Sequence, residues 1–137
     1  MTMHTATPLT LHLLGAIGLY MVAIGASALI DPGRWQGLRE EMERGAGLTI
    51  LMGLVTFAVG VALLGVHHGL ADPLQILVSA IGAIAALEGL LILAVPRAMI
   101  AFGAPFLARP RAWAIVTVAL GLIFILAGAL VPAGPTL

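Results

Sequence analysis

Glu88 is the one charged residue inside a long apolar stretch of the sequence, Leu74–Val95. An acid near the middle of a membrane-spanning helix costs about 2.5 to 3.5 kcal/mol to insert, so we do not expect it to face lipid. Two interpretations stay open: a protonated carboxyl group that donates to a backbone carbonyl of a neighbouring helix, or a group that handles a proton or cation. A lone carboxyl group with no second titratable residue at its depth makes a poor relay. The packing role is therefore favoured.

Histidines are the second group of residues whose side chains could do chemistry. Imidazole and carboxylate groups bind zinc and copper, and His12 could approach the adjacent pair His67 and His68. The spacing matches no metal motif, however, and the few aromatic residues do not provide a slot for haem. We therefore expect polar residues at a membrane interface, with no metal, haem or other cofactor. These residues are His4, His12, His67, His68 and Asp72.

Patterns typical of catalysis do not occur in the sequence. It contains no cysteine, no phosphate-binding G-x-x-x-x-G-K-[ST], no zinc-binding H-E-x-x-H and no nucleophile pattern G-x-S-x-G. The few hydroxyl residues inside apolar stretches, Ser27, Thr56 and Ser79, are interpreted as helix-packing residues. The sequence therefore favours a protein that is not an enzyme.

The composition indicates a membrane protein. Apolar residues make up 61% of the 137 residues and charged residues 9%, against about a quarter charged in a soluble domain. Six arginines balance six acids, so nothing favours nucleic acid as a partner. We predict an all-α integral membrane protein, residues 1–137 forming one bundle of four transmembrane helices of about 20 residues each. The predicted spans are Leu9–Ile30, Ala46–Val66, Leu74–Val95 and Ala112–Val131.

Arginine placement predicts the orientation. Lys and Arg near the ends of spans resist translocation, and all six arginines fall in the first and third connections. Both connections are therefore expected in the cytoplasm, and both termini on the outer side of a bacterial inner membrane. Trp35 and Trp113 are expected at the cytoplasmic interface, where aromatic rings prefer to lie. The arginines are Arg34, Arg39, Arg44, Arg97, Arg109 and Arg111.

The sequence repeats with an offset of 64 residues, which places the glycines and the proline of 18–32 on those of 82–96. An offset of 68 aligns the glycines of the second and fourth spans, so the third connection is expected to be four residues longer. We predict two tandem two-helix repeats, 9–66 and 73–131, related by an axis along the membrane normal. Glycines seven residues apart share a helix face and are expected at helix contacts. They are Gly18, Gly25, Gly53, Gly60, Gly82, Gly89, Gly121 and Gly128.

The first connection predicts a short amphipathic helix on the membrane surface. Its apolar residues share one helix face, and its charged residues are spaced i,i+4 for two ion pairs. The third connection, Arg97–Arg111, is more apolar and contains two prolines, and we expect it to enter the interface or to bind a partner. The apolar face of the first connection is Trp35, Leu38 and Met42, and the pairs are Arg39 with Glu43 and Glu40 with Arg44.

Glu88-Gly89, followed by Pro96 at the end of an apolar helix, resembles the YjeT-like family of short two-helix inner-membrane proteins. In that family the acidic helix leads through a basic surface stretch to an R-x-x-G start of the second helix. That start is found here as Arg44-Gly45-Ala46-Gly47, in the other repeat. Ile24 replaces the acid in the first copy, and Arg111-Ala112-Trp113-Ala114 lacks the glycine in the second. The resemblance implies a fused dimer in which each copy keeps half of the pattern, and it implies no activity.

Two functions are compatible with these features. The favoured one is a non-enzymatic accessory or assembly subunit of a larger inner-membrane complex. Its apolar outer face lies in the lipid bilayer and, with the Phe102–Phe106 segment, binds other subunits or a second copy. The alternative is a small oligomeric transporter in which Glu88 couples a substrate to protons. Four-helix multidrug transporters provide the analogy, but they have their acid in the first helix, where Ile24 stands here.

Arg44 lies roughly 12 Å from Glu88 along the helix axis, so we expect Glu88 to be neutral.

Overall fold

The computed structural model describes residues 6–134, and this part of the chain folds into six α-helices. Four of them, of 21 to 23 residues, are long and apolar enough to cross a membrane. This confirms the all-α class and the four apolar spans, whose ends differ from the predicted ones by two residues at most. The helices are α1 (Pro8–Ile30), α2 (Pro32–Arg44), α3 (Ala46–Val66), α4 (Pro73–Ala94), α5 (Pro96–Ala108) and α6 (Pro110–Leu130).

Proline occupies the first turn of all these helices except α3. At that position its missing N–H has no intrahelical partner and its fixed φ suits the helix. Pro32 and Pro96 separate a long helix from the short helix that follows, with one non-helical residue at each junction. Asp31 supports the first junction, because its carboxylate accepts a hydrogen bond of 3.1 Å from the backbone N–H of Arg34.

The four long helices pack as two antiparallel pairs. α1 contacts α6 along its length, and α3 contacts α4 in the same way. Contacts between the two pairs are few, and they join α1 to α4. The short helices α2 and α5 also contact each other. Each pair combines a helix of the first predicted repeat with a helix of the second. The bundle is therefore tightly packed within each pair and more open between the pairs.

The helices of the two halves match in length. α2 and α5 each have 13 residues, α3 and α6 each have 21, and in both cases the second helix begins 64 positions after the first. The prediction of a third connection four residues longer is therefore wrong. That prediction matched Gly53 with Gly121. The helix bounds instead give an offset of 64, so the residue of α6 that corresponds to Gly53 is Thr117, one turn before Gly121. The glycines of α3 and α6 lie at different heights in helices of equal length.

The helix α5 is not indicated by the sequence. It occupies most of the segment that was expected only to enter the interface or to bind a partner, and it contains Pro105. Proline has no N–H to donate to the carbonyl four residues earlier, so α5 lacks the hydrogen bond that would reach the carbonyl of Ala101. Phe102 projects from α5 and is 70% exposed. The two short helices contact each other and form a second layer beside the long helices.

The two ends of the helix pairs differ chemically. All six arginines lie at the end that carries α2 and α5, termed the arginine end. The opposite end, termed the histidine end, holds the turn of residues 67–72 between α3 and α4. It also holds both ends of the described chain, where the backbone N–H of Gly134 donates to the carbonyl oxygen of Ala6 at 3.0 Å. The uneven arginine distribution of the sequence is thus a difference between two ends of one folded unit.

Candidate functional site

Glycines bring the paired helices together. A Cβ atom placed on Gly18 would lie 2.5 Å from the carbonyl oxygen of Gly121, and one placed on Gly121 would lie 2.7 Å from the carbonyl oxygen of Gly18. In the other pair, Gly60 faces the backbone of Ala86 and leaves no room for a Cβ. Small residues allow such close approach of helices in a membrane. Every one of the predicted packing glycines faces the partner helix of its pair, most closely where the neighbour is backbone and least closely at Gly82, where a Cβ would lie 3.2 Å from Leu64 Cγ. The eight are Gly18, Gly25, Gly53, Gly60, Gly82, Gly89, Gly121 and Gly128.

Glu88 takes no part in these contacts. Gly89 occupies the face of α4 that meets Phe57 of α3. Successive residues of a helix point about 100° apart, so the side chain of Glu88 points elsewhere, and it is exposed. It forms no hydrogen bond or ion pair with any group of residues 6–134. The expected hydrogen bond to a backbone carbonyl of a neighbouring helix is therefore not formed, because the crowded face of α4 belongs to Gly89.

Glu88 lines a groove between the α3–α4 pair and the short helices, termed the Glu88 groove. The groove has about 280 Å³ of open space, and Glu88 is the one charged residue among those that line it. A carboxyl group without a partner thus faces an otherwise apolar surface. The walls of the groove include Leu38 of α2, Met52 of α3, Ile92 of α4, and Met99 and Phe102 of α5.

The α1–α6 side has a groove in the corresponding position, termed the aromatic groove. Trp35 Nε1 donates a hydrogen bond of 3.3 Å to Ser27 Oγ at one side of it. The rings of Phe106 and Trp113 meet edge to face, with their centroids 4.3 Å apart. Aromatic side chains thus form part of the walls of this groove, which has about 220 Å³ of open space. The residues that line the groove include Ile24, Trp35, Phe106 and Trp113, and none of them is charged.

A larger groove, termed the arginine groove, opens at the arginine end where α2, α3, α4 and α5 meet. It has about 690 Å³ of open space, and its charged lining residues are Arg39, Glu43, Arg44 and Arg97. Arg39 Nε lies 2.8 Å from Glu43 Oε1, and Arg44 Nη2 lies 3.0 Å from Glu40 Oε2. These distances confirm both predicted i,i+4 ion pairs. Arg97 forms no ion pair with a group of residues 6–134.

The residues predicted at the cytoplasmic interface all lie at the arginine end. Arg109 and Arg111 are exposed on either side of Pro110, where α6 begins. Trp35 and Trp113 stand on opposite walls of the aromatic groove, on α2 and α6. The complete set is Trp35, Arg44, Arg97, Arg109, Arg111 and Trp113.

His67 is buried and joins the two helix pairs at the histidine end. Its Nε2 lies 2.8 Å from Thr10 Oγ1 on α1, and its Nδ1 lies 3.2 Å from Ser79 Oγ on α4. The Ser79 hydroxyl donates its single proton to the carbonyl oxygen of Gly69 at 2.9 Å, so it accepts from Nδ1–H. A neutral His67 then accepts at Nε2 from the Thr10 hydroxyl. The Thr10–His67–Ser79 chain of hydrogen bonds therefore selects one tautomer of His67.

His67 lies at the end of the candidate span α3, as expected of the histidines, but its side chain is only 5% exposed. His12 and His68 are exposed, and each bonds the backbone carbonyl four residues earlier. Asp72 caps α4, because its Oδ1 accepts from two backbone N–H groups at 2.9 and 3.0 Å. Within residues 6–134 no three His, Asp or Glu side chains come together as metal ligands. His4 lies outside the described residues.

Comparisons with known proteins give no assignment. No family model, curated protein or solved structure matches the chain. Function is therefore inferred from the Glu88 groove, the arginine groove and the buried hydrogen bonds of His67.

Two features of the site have no signal in the sequence. Thr10 and His67 are 57 positions apart, so no local pattern connects them. Ser79 was interpreted as a packing residue because it lies in an apolar span, although its hydroxyl bonds His67. The arginine groove combines side chains of four helices, and only the i,i+4 pairs within α2 could be expected from spacing.

Proposed function

We propose that the protein is a non-enzymatic accessory or assembly subunit of a larger complex in a bacterial inner membrane, and that the partner binds in the Glu88 groove. The supporting observation is the exposed carboxyl group of Glu88, which has no partner in residues 6–134. An acid facing lipid in a spanning helix costs about 2.5 to 3.5 kcal/mol. A polar group of a second membrane protein, seated in the groove, would remove that cost.

The walls of the Glu88 groove suit a protein partner. Met52 and Met99 are flexible and polarisable, so they adapt to the side chains of a bound helix. Phe102 at the edge of the groove is 70% exposed and offers a large apolar contact. Exposed apolar residues on membrane helices are ordinary, but an apolar groove around a single acid is not. This combination favours binding of another subunit, or of a second copy, over contact with lipid alone.

The family resemblance remains a proposal, and the helix pairing adds to it. Glu88-Gly89 lies on α4, and Arg44-Gly45-Ala46-Gly47 leads into α3, so both retained parts of the pattern belong to the same tight pair. Ile24 and Arg111-Ala112-Trp113-Ala114, which depart from the pattern, belong to the α1–α6 pair. In this proposal the α3–α4 pair acts as the working unit of a fused dimer, and the α1–α6 pair supports it.

The proposed orientation has the arginine end in the cytoplasm and both termini outside it. Cytoplasmic retention of arginine near the ends of spans is the physical reason. A reporter that is active only in the cytoplasm should give no signal when fused after Leu137 and a strong signal when fused to a truncation at Gly37. The reverse pattern would overturn the orientation.

The subunit proposal is tested by site-specific cross-linking followed by gentle purification. A photoreactive residue at Phe102, in the Glu88 groove, should capture a stoichiometric membrane partner that mass spectrometry identifies. The same residue at Leu120, which is 42% exposed on α6, is the matched control and should capture far less. Equal capture at both positions, or self-association alone in a chain with transport activity, would contradict the proposal.

Substitutions at Glu88 then test the role of its carboxyl group. Interhelical hydrogen bonds in membranes are worth about 0.6 kcal/mol on average, so Glu88→Leu should reduce the recovered partner about threefold. Glu88→Gln keeps a hydrogen-bond donor and should retain the partner. Leu90→Ala, on an exposed part of α4 outside both grooves, is the control for general damage to the helix.

A small oligomeric proton-coupled transporter is the second candidate, because an unpartnered carboxyl group in an open groove is free to exchange a proton. No other titratable residue lines the Glu88 groove, which leaves a proton relay without a second member. Purified protein in liposomes with an imposed pH gradient distinguishes the two. Substrate flux that Glu88→Gln abolishes, in a protein that stays folded, would favour the transporter.

A further inference from the structure

The arginine groove has a charged mouth and an apolar floor. Arg44 ends α2 just before α3, and Arg97 is the second residue of α5, so both stand where long helices begin or end. Ile50 lies four residues inside α3, about 6 Å deeper by helical rise, and Leu93 lies near the end of α4. Together with Ile92, they continue the groove from the charged mouth into the spanning region. This change from charged to apolar lining residues matches a lipid molecule, which has a polar headgroup above apolar acyl chains.

The charge of the mouth is positive. Three arginines and one glutamate line it, and with Glu40, which pairs with Arg44 from outside the groove, the net charge is +1. Arg97 has no ion pair with a group of residues 6–134, and the ion pairs of Arg39 and Arg44 are exposed, with side-chain exposures of 49% and 79% for the arginines. Exposed ion pairs contribute little energy. These guanidinium groups can therefore turn towards an anion without a large loss.

The α1–α6 side differs from the arginine groove at two corresponding positions. With the offset of 64 residues, Thr49 and Ile50 of the arginine groove correspond to Trp113 and Ala114 of the aromatic groove. The ring of Trp113 packs against Phe106 there, and no charged residue lines that groove. Trp113 therefore narrows the α1–α6 side where Thr49 leaves the arginine groove wider, and the two grooves have about 220 and 690 Å³ of open space.

We propose that the arginine groove binds one anionic phospholipid of the surrounding bilayer. The phosphate accepts hydrogen bonds from Arg97 and Arg44, as guanidinium groups favour. One acyl chain lies along Ile50 and Leu93. Basic pockets between membrane helices bind anionic headgroups in this way. The site is separate from the Glu88 groove and does not depend on the proposed subunit role.

Lipid competition on the purified full-length protein tests the site. The protein is held in detergent with equal amounts of phosphatidylglycerol and phosphatidylcholine, and native mass spectrometry measures the bound fraction of each. Phosphatidylglycerol should be retained over phosphatidylcholine. Arg97→Gln and Arg44→Gln should each weaken its binding about fivefold, and the double variant about 25-fold. Added salt should weaken binding to the original chain as well, because the headgroup contact is electrostatic.

Two further variants separate the parts of the site. Arg34→Gln removes an exposed arginine from the same end but outside the groove, so its phosphatidylglycerol binding should change by less than about twofold. Ile50→Trp keeps every charge and fills the acyl path at a residue that is 51% exposed, so it should fold and still bind phosphatidylglycerol more weakly. Circular dichroism and gel filtration check the fold of each variant.

Three results would overturn the proposal. The first is equal retention of phosphatidylglycerol and phosphatidylcholine by the original chain. The second is a loss in Arg34→Gln as large as that in Arg97→Gln, which would indicate general attraction to the arginine end. The third is binding of inorganic phosphate with the affinity of phosphatidylglycerol, which would indicate an anion site that makes no use of the acyl chain.

Discussion

The α3–α4 side and the α1–α6 side of the molecule share their architecture and differ in the chemistry of their grooves. Their long helices have 21 and 22 residues on one side and 23 and 21 on the other. On the first side, Glu88 faces an open groove, and arginines line a second one. On the other side, Ile24 stands 64 positions before Glu88, and aromatic side chains line the corresponding groove. Among residues 6–134, no charged residue lines that aromatic groove.

The comparison indicates that the pairing of the long helices and the residues that line the grooves can vary independently. Pairing of long helices depends on glycines, and both pairs have them at close contacts. The grooves lie outside those contacts, so their residues can change without loss of the pair. The two grooves beside the long helices differ most at one position, since Glu88 of the α3–α4 side corresponds to Ile24 of the α1–α6 side. We infer that the α3–α4 side carries the interactions of the protein, and that the α1–α6 side mainly completes the fold.

The largest expected effect tests whether both pairs depend equally on glycine. In Gly60→Leu the new side chain meets the backbone of Ala86, and in Gly121→Leu it meets the carbonyl oxygen of Gly18. Overpacking usually costs about 1 to 3 kcal/mol, and backbone that no rotamer change can move should put both variants above that range. Unfolding in mixed micelles, followed by circular dichroism, measures the loss of free energy of unfolding.

Gly65→Leu is the matched control, because a Cβ at Gly65 of α3 meets nothing within 4 Å. It should unfold like the original chain. If Gly60→Leu were as mild as Gly65→Leu, the close approach of α3 to α4 would not support the fold. If only one of Gly60→Leu and Gly121→Leu were severe, the two pairs would differ in packing as well as in groove chemistry.

The helix positions could be predicted from the sequence because length and apolarity decide them. A stretch of about 20 apolar residues specifies a span by itself, and Ala46–Val66 matches its prediction at both ends. The pairing of spans could not be predicted, because lipid and helix neighbours are equally apolar and leave the partner unmarked. Glycines indicated the contact faces only. They also misled the alignment of α3 with α6, where the same spacing recurs one turn apart.

The directions of the side chains in the candidate site were harder to predict from the sequence than the helices that carry them. Glu88 was expected to share the crowded face of Gly89, but neighbouring residues point about 100° apart on a helix. His67 bonds Thr10 and Ser79 at the end of α3, and the expectation of polar residues at a membrane interface did not include these partners. Its partners come from α1 and α4, and the sequence contains no local pattern that connects them. Contacts between distant residues are what the sequence alone could not supply here.

Ile24→Glu makes the α1–α6 side resemble the other side and has the second-largest expected effect. The new carboxyl group would line the aromatic groove, whose other lining residues include Trp35 and Trp113. Acids in spanning helices cost about 2.5 to 3.5 kcal/mol, so we expect a loss of about 2.5 kcal/mol in the free energy of unfolding. Ile24→Leu is the control and should be nearly neutral. A neutral Ile24→Glu would show that the two sides tolerate an acid equally.

His67→Ala tests the connection between the pairs at the histidine end. It removes the hydrogen bonds to Thr10 and Ser79 and leaves two hydroxyl groups with fewer partners in a buried place. A lost partner at a buried polar group costs about 1 to 3 kcal/mol, so we expect a decrease of about 2 kcal/mol in the free energy of unfolding. His68→Ala is the control, because His68 is exposed and bonds only a carbonyl of α3. Equal effects of the two substitutions would indicate that the buried chain does not hold the pairs together.

The smallest expected effect concerns the hydrogen bond between Trp35 and Ser27 beside the aromatic groove. Trp35→Phe keeps an aromatic ring and removes the 3.3 Å hydrogen bond from Nε1 to Ser27 Oγ. A typical hydrogen bond contributes about 0.5 to 1.5 kcal/mol, and this long one, partly buried, should be near the lower limit. Ser27→Ala removes the same bond, so the double variant should lose less than the sum of the two single losses. Strictly additive losses would indicate that Trp35 holds α2 against α1 by ring packing alone.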